Sequence, residues 1–313
     1  MSVADPRKTV RDDLPEIDGI RPELSFIRDE ERYRGRRLPN AMTVDVEDYF
    51  QVSAFEGSVS RDDWSSMPSR LPANIDKILQ IFGRENVRAT FFTLGWVCDK
   101  FPRLIQEIAS AGHEIASHGY EHSRVGTFDR KQYRADVETT RKRLEDVSGT
   151  AVVGYRAPSF SIGEDTLWAH DVLAESGYRY SSSVFPVRHD HYGLPDAPRF
   201  PFRNSSGTLL EIPMSSLQFF GRNLPCAGGG YFRLLPLAYS KWAIGWINKH
   251  EQMPAVFYFH PWEIDPGQPK VDGISAKTRF RHYVNLHKFE GRLTRMLQQF
   301  RWDRMDRIFL GQS

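Results

Sequence analysis

Four short stretches of the chain hold the residue types from which hydrolytic chemistry is built. In Ser117-His118-Gly119-Tyr120-Glu121-His122 two histidines stand four apart. On one helical turn that spacing puts both imidazoles on the same side, about 5–6 Å apart at Cβ, close enough to share a metal ion. The stretch Thr43-Val44-Asp45-Val46-Glu47-Asp48-Tyr49 places three carboxylates directly after an apolar run. Two histidines plus one carboxylate form a hydrolytic metal set, because such a set leaves coordination positions open for water and a substrate oxygen. A second carboxylate then stays free to take a proton. Taken alone, the acidic run also reads as a solvated strand end.

In Gly154-Tyr155-Arg156-Ala157-Pro158-Ser159-Phe160 an arginine precedes a turn stiffened by proline. The fork of Arg156 could hold a carboxylate, keeping Asp45 ionised and aimed, since a nearby positive charge lowers a carboxylate pKa. Without that partner Arg156 is one more surface cation. The fourth stretch, Phe257-Tyr258-Phe259-His260-Pro261-Trp262-Glu263, ends an apolar strand in a histidine. Histidine titrates near working pH and can protonate an amine as it leaves. A core histidine bonded to a backbone carbonyl is the alternative for His260, and His113 reads as structural.

These stretches need elements to position them, and the chain supplies strand, polar loop and helix in repetition. After AMTVDVEDYF the pattern gives a helix near Asn74 to Phe82, the strand VRATFFTLGWV, and a helix from Pro102 to Ala111 stopped by Gly112. A long charged helix follows over about Asp129 to Val147, then the strand VVGYRAPSFS, a helix over Thr166 to Ser176 and the strand YRYSSSVFP. Polar residues stand at the C-terminal end of each strand, which is where a parallel barrel or wound sheet carries its active face. Residues 187–236 break the rhythm with Pro and Gly and read as a long insertion or lid. Tyr239, Trp242, Ala243, Trp246 and Ile247 fall on one helix face, expected to pack on the core, and a last helix presents Phe289, Leu293, Met296, Leu297 and Phe300.

Composition narrows the function classes. The 313 residues carry 42 Lys+Arg against 40 Asp+Glu, a net charge of +2 that argues against a nucleic-acid-coating surface. No apolar leader opens the chain and no stretch is apolar enough to span a membrane, so the expected location is the cytoplasm. With only Cys98 and Cys226 present, any metal must be held by His and carboxylates. Residues 1–38 contain nine acidic and nine basic side chains and read as a mobile or surface-wrapping arm. Residues 39–270 read as the catalytic barrel, and 271–313 as a helical extension packing on it. The oligomeric state is not written in the sequence.

Taken in order, the Asp-rich strand end, His-x-x-x-His, Arg-x-Pro and strand-final His resemble the polysaccharide deacetylase family. This is the NodB-homology group, also called carbohydrate esterase family four, and the resemblance covers roughly Ala41 to Glu263. The wording of DVEDYF, GGGYFRLLP and FYFHPWEID is similar to a subgroup associated with bacterial exopolysaccharide and PEP-CTERM/exosortase loci. The resemblance implies a distorted (β/α) barrel of α/β class and a metal-dependent enzyme removing acetyl from an N-acetylated sugar or polysaccharide. It implies Asp45 as general base, His260 as general acid, Arg156 orienting the base, and His118 and His122 as ligands of one divalent ion, zinc first, with cobalt or nickel as alternatives.

The chain departs from the family's adjacent aspartates, because Val46 follows Asp45. The third ligand therefore lies open between Glu47 and Asp48, with Glu47 preferred by position. The family's later groove motif is also absent from YSSSVFP, so Tyr231 and Arg233 of the glycine-rich loop stand in as substrate contacts beside Tyr49, Pro158 and Trp262. A cyclic-amide hydrolase of allantoinase type would use similar residues, and a silent sugar-binding module would keep the barrel while losing a base or ligand.

Overall fold

The computed structural model describes residues 20–22, 38–188 and 193–311. Its centre is a curled, mainly parallel sheet. The strands in chain order are β1 (Ile20–Pro22), β2 (Pro39–Val46), β3 (Thr90–Thr93), β4 (Glu114–Ser117), β5 (Gly154–Tyr155), β6 (Tyr180–Ser181), β7 (Phe202–Asn204), β8 (Leu210–Glu211), a separate hairpin β9 (Ser216–Phe219) and β10 (Arg222–Pro225), then β11 (Val256–Phe259) and β12 (Arg301–Asp303). They pair in the order β1-β7-β8-β6-β5-β4-β3-β2-β11, with β12 also on β2; only the contacts of β7 with β1 and β8 are antiparallel within this sheet. The expected distorted (β/α) barrel is thus present as a curled half-barrel.

Strand alternation decides which side chains reach the inside. Met42, Val44 and Val46 of β2 pack outward under the helices, as do Phe91, Ile115, Phe257 and Phe259 of the neighbouring strands. Ala41, Phe92, Ala116, Val256 and Tyr258 turn into the barrel. Counting on in twos, the same face carries Asp45 near the end of β2, Glu47 just beyond it, His118 after β4 and His260 after β11. The chemistry identified in the sequence therefore lies on the inner face, at the C-terminal ends of parallel strands.

The helices covering the outside are α1 (Leu71–Arg84), α2 (Gly95–Lys100), α3 (Pro102–Ser110), α4 (Arg130–Ser148), α5 (Ala169–Glu175), α6 (Gly229–Leu234), α7 (Leu237–Trp246), α8 (Ala276–Tyr283) and α9 (Leu286–Gln299), while α10 (Met305–Phe309) closes the chain. The long charged helix α4 starts at a reciprocal cap between Asp129 and Gln132 and stops at Gly149, whose φ of +67° favours glycine. Met305, Ile308 and Phe309 of α10 enter the inner apolar cluster and plug the barrel.

Three expectations change on meeting the structure. Among its described residues the stretch 187–236 contributes to the fold itself rather than only lying over it as a lid: β7 and β8 join the main sheet, while the tip of the β9–β10 hairpin, with Phe219 and Phe220, stands exposed. Ala243 and Ile244 of α7 and Ile247 just after it are buried, whereas Trp242 and Trp246 are 46% and 41% exposed, so the two tryptophans of that stripe lie beside the core face and not on it. The C-terminal stretch is not only helical, since β12 adds to the sheet at Pro39–Ala41. Of the charged arm, Ile20–Pro22 pairs with Phe202–Asn204; residues 1–19 and 23–37 lie outside the described part.

Candidate active site

The four stretches converge. Glu47, His118 and His122 are buried, and each offers a ligand atom within 4.8 Å of the others. The histidines do not sit on a helical turn as the spacing suggested. They lie on an irregular loop after β4, where Gly119 at φ +72° and His122 itself at φ +56° turn the chain back, bringing the two rings to 5.3 Å between centroids. Pro158 backs this loop at Gly119, where a Cβ would already lie 3.7 Å from the Pro158 ring. It is buried at this turn.

Each donor is prepared for a cation. His118 Nδ1 lies 2.8 Å from the Arg156 carbonyl, which only accepts, so Nδ1 carries the proton and Nε2 keeps its lone pair. Burial pushes His118 down to about 3, aided by the charge of His122, and keeps it neutral. Burial works to raise Glu47, but the neighbouring His122, His260 and His118 outweigh it and hold its carboxylate below the ordinary 4.5. Glu47 Oε2 is buried without a hydrogen-bond partner although His122 Nε2 stands 2.9 Å away. An imidazole nitrogen and a carboxylate oxygen at that distance, with His118 close by, form a donor set that fits a divalent metal.

Asp48, the other candidate ligand, points elsewhere. Its Oδ2 accepts from Ser69 Oγ at 2.6 Å and from the amides of Arg70 and Leu71 at 3.0 and 3.2 Å, at the start of α1. It anchors a helix N-terminus, a place where a carboxylate is favoured by unpaired N–H groups.

Asp45 stands beside the triad with its Oδ1 2.5 Å from Arg156 Nη1. Arg156 is fully buried. It also donates to Thr43 Oγ1, Ser182 O and Ser182 Oγ, and its guanidinium lies 4.0 Å over the Phe92 ring. The serines behind it are fixed in turn, because Glu211 accepts from the amides of Ser183 and Val184 and pairs with His170 at 3.0 Å. Ser182 and Glu211 escaped the sequence reading: nothing in YSSSVFP or LLEIP marks the one as a partner of Arg156, or the other as the acceptor for Ser183 and Val184, before the strands pair.

On the opposite side His260 Nε2 lies 3.3 Å from Glu47 Oε1. Its amide and Nδ1 face Glu263 Oε2 at 2.9 and 3.3 Å. Burial disfavours charge on His260, but the bond to Glu263 and the charges of Glu47, Glu263 and Asp45 prevail and push it up to about 9. Glu263 is held in turn by Arg233 Nε at 2.7 Å. Gly229 makes room for this pair, since a Cβ there would sit 1.7 Å from Glu263 Oε2.

This arrangement reassigns three expected substrate contacts. Arg233, 2% exposed, spends its donors on Glu263 and the carbonyls of His282 and Val284. Trp262 is buried in a stack between His260, at 5.1 Å, and His282, at 4.1 Å. Tyr49 lies in the same apolar cluster as Trp262 with its phenol buried, which pushes its pKa up to about 12. Tyr231, on α6, is half-buried. His113 is structural, as its sequence setting suggested: it accepts the Ala89 amide, and burial drives it down to about 3.

An inner-face cluster of two histidines and a glutamate, flanked by an Arg-paired aspartate and a carboxylate-paired histidine, is a constellation suited to hydrolytic chemistry. Residues 61–181 match the family described as Polysaccharide deacetylase, and residues 182–310 match DUF3473, a domain of unknown function. The stretch 61–181 is thus similar to the polysaccharide deacetylase family. Asp45 and Glu47 precede the first matched span and His260 falls in the second, so the site draws on both and on β2.

A peptidoglycan-N-acetylglucosamine deacetylase of Bacillus cereus is 37% identical over 94 residues, 30% of this chain and 34% of that one. A peptidoglycan deacetylase of Helicobacter pylori is 27% identical over 133 residues, 42% and 44% of the two. The chain thus spans less than half the length of these relatives. A solved Mycobacterium smegmatis structure, provisionally described as a polysaccharide deacetylase, shares the fold at a TM-score of 0.56 and 22% identity, over 88% of this chain and 90% of that one.

Proposed function

We propose that this protein removes N-acetyl groups from an N-acetylated sugar or polysaccharide by metal-assisted hydrolysis. The observation that carries the reading is the meeting of Glu47, His118 and His122 with a separate Asp45–Arg156 pair and with His260 in one inner-face site. A divalent cation held by Glu47, His118 and His122 would polarise the acetamide carbonyl and acidify a water.

Asp45 then takes the proton from the attacking water, with Arg156 fixing one of its oxygens and leaving the other for that proton. His260, on the far side of Glu47 from His122, gives a proton to the sugar amine as the C–N bond breaks, so that water and amide become acetate and amine. Glu263 and Arg233 act through His260: they lock its Nδ1 side and leave Nε2 toward the site. The resemblance of DVEDYF, GGGYFRLLP and FYFHPWEID to the exopolysaccharide-locus subgroup favours an exopolysaccharide precursor as the substrate.

The deciding assay is acetate release from N-acetylglucosamine oligomers after chelation and readdition of zinc, cobalt and nickel separately. Activity is expected to vanish with chelator and return with at least one metal. Undiminished acetate release from the fully stripped protein would overturn the metal-assisted reading.

A further inference from the structure

We propose that Ser53, itself held by Ser159, is the hydrogen-bond partner that fixes His122 in the tautomer able to bind a divalent cation through Nε2. The inference rests on the metal reading above and assigns residues that reading does not use. Ser53 Oγ lies 3.4 Å from His122 Nδ1 and 2.5 Å from Ser159 Oγ. In the proposed arrangement Nδ1–H donates to Ser53 and the Ser53 hydroxyl donates to Ser159, an order that both contacts permit. Nε2 is then left with a lone pair on the Glu47 side, where Glu47 Oε2 waits without a hydrogen-bond partner.

The chain pays a conformational cost to build this contact. Among the described residues seven non-glycine positions have positive φ, and three of them, His122 at +56°, Ser159 at +55° and Phe160 at +50°, meet at this one rim of the site. Strain gathered at one point, over segments 106 residues apart in the case of Ser53 and Ser159, is the pattern of a functional constraint rather than of scattered turns. It also gives the two histidines separate outer partners. His118 is oriented by the Arg156 carbonyl, inside the Arg-x-Pro turn, and His122 by a hydroxyl pair whose second member is the residue just after Pro158. One turn, 156–159, therefore orients both imidazoles and the base Asp45. An outer partner of a ligating histidine commonly contributes about 10- to 100-fold in metal affinity.

The test compares the full chain with its Ser53→Ala, Ser53→Thr and Ser159→Gly variants. Each is stripped with chelator and titrated with Co²⁺, following visible d–d absorption, and the thermal midpoint of each metal-free protein is recorded. Ser53→Ala should weaken Co²⁺ binding about 10- to 100-fold, with Ser53→Thr restoring most of it. Ser159→Gly should weaken Co²⁺ binding while its metal-free thermal midpoint holds or rises, because glycine accepts the positive φ. Parent-like Co²⁺ binding in both Ser53→Ala and Ser159→Gly would overturn the proposal and leave the metal reading intact. Equal losses of affinity and thermal stability without rescue by threonine would mark Ser53 as a packing residue and also overturn it. A parent chain that binds no Co²⁺ would remove both readings together.

Discussion

Glu263→Gln isolates what the carboxylate behind His260 contributes. The substitution keeps the shape of a side chain that is fully buried and removes the charge facing both His260 Nδ1 and Arg233. Two effects follow. The neutral amide no longer holds a positive imidazole, so His260 falls from about 9 toward its ordinary 6.5. It also leaves Arg233 uncompensated in the interior, a loss on the order of 3–5 kcal/mol for a broken buried pair.

The pH dependence of stability carries a definite sign. In the metal-free parent the folded state keeps the His260 proton up to about pH 9, while the unfolded chain releases it near 6.5. The contribution is full below 6.5 and is lost as pH rises through 9, amounting to about 3 kcal/mol at about 1.4 kcal/mol per pH unit. Urea unfolding of metal-free parent and variant at pH 6 and pH 9 should therefore show a fall in the parent that is much smaller in Glu263→Gln. In steady-state acetate release, assayed well below the variant's melting transition, kcat should drop by about 10²- to 10⁴-fold, the scale of an orienting carboxylate behind a catalytic histidine. KM should hardly move, because a fully buried residue meets no substrate. A folded Glu263→Gln protein with kcat within about threefold of the parent would refute the positioning role assigned here.

Asp45→Asn should abolish acetate release while stoichiometric zinc is retained, measured by metal analysis after dialysis, since Asp45 pairs with Arg156 and not with the ligand set. Asp48→Ala should retain metal as well but lower stability by about 1–2 kcal/mol in chemical unfolding, because the amides at the start of α1 lose their acceptor; loss of metal in this variant would restore Asp48 as a ligand. Glu114→Gln bears on the closed end of the barrel. Burial and then the nearby Asp306 hold Glu114 protonated above its ordinary 4.5, so the folded state binds more protons than the unfolded one and stability falls as pH rises beyond that value. The glutamine variant should lose less stability than the parent between pH 5 and pH 8 in parallel thermal scans.

Alternation along the strands made much of the site legible in advance. Once β2 is a strand with Ala41 and Thr43 facing inward, Asp45 and Glu47 must follow, and the same parity carries His260 after Tyr258. Spacing misled where the backbone leaves regular structure. His118 and His122 meet through a loop with two left-handed residues, a geometry that a spacing of four imitates but does not contain. Asp48 shares its neighbours' chemistry but sits where the chain turns to meet α1, which only the fold reveals. Arg233 and Trp262 are polar-tipped side chains of a kind common in sugar sites. Their burial depends on Glu263 and His282, contacts set by tertiary packing of α6, α8 and the turn after β11.

The placement of β2 bears on how this protein can be cut or recombined. The strand that carries Asp45 pairs with β3 and also with β11 and β12, which arrive more than 200 residues later in the chain. A fragment stopping near residue 181 would leave that strand as a raw border with unmet amides and carbonyls, prone to stick to other chains. Swapping the downstream half between homologues would likewise import a foreign seam against the strand that carries Asp45, so chimaeras should be joined with β2, β11 and β12 taken from one parent.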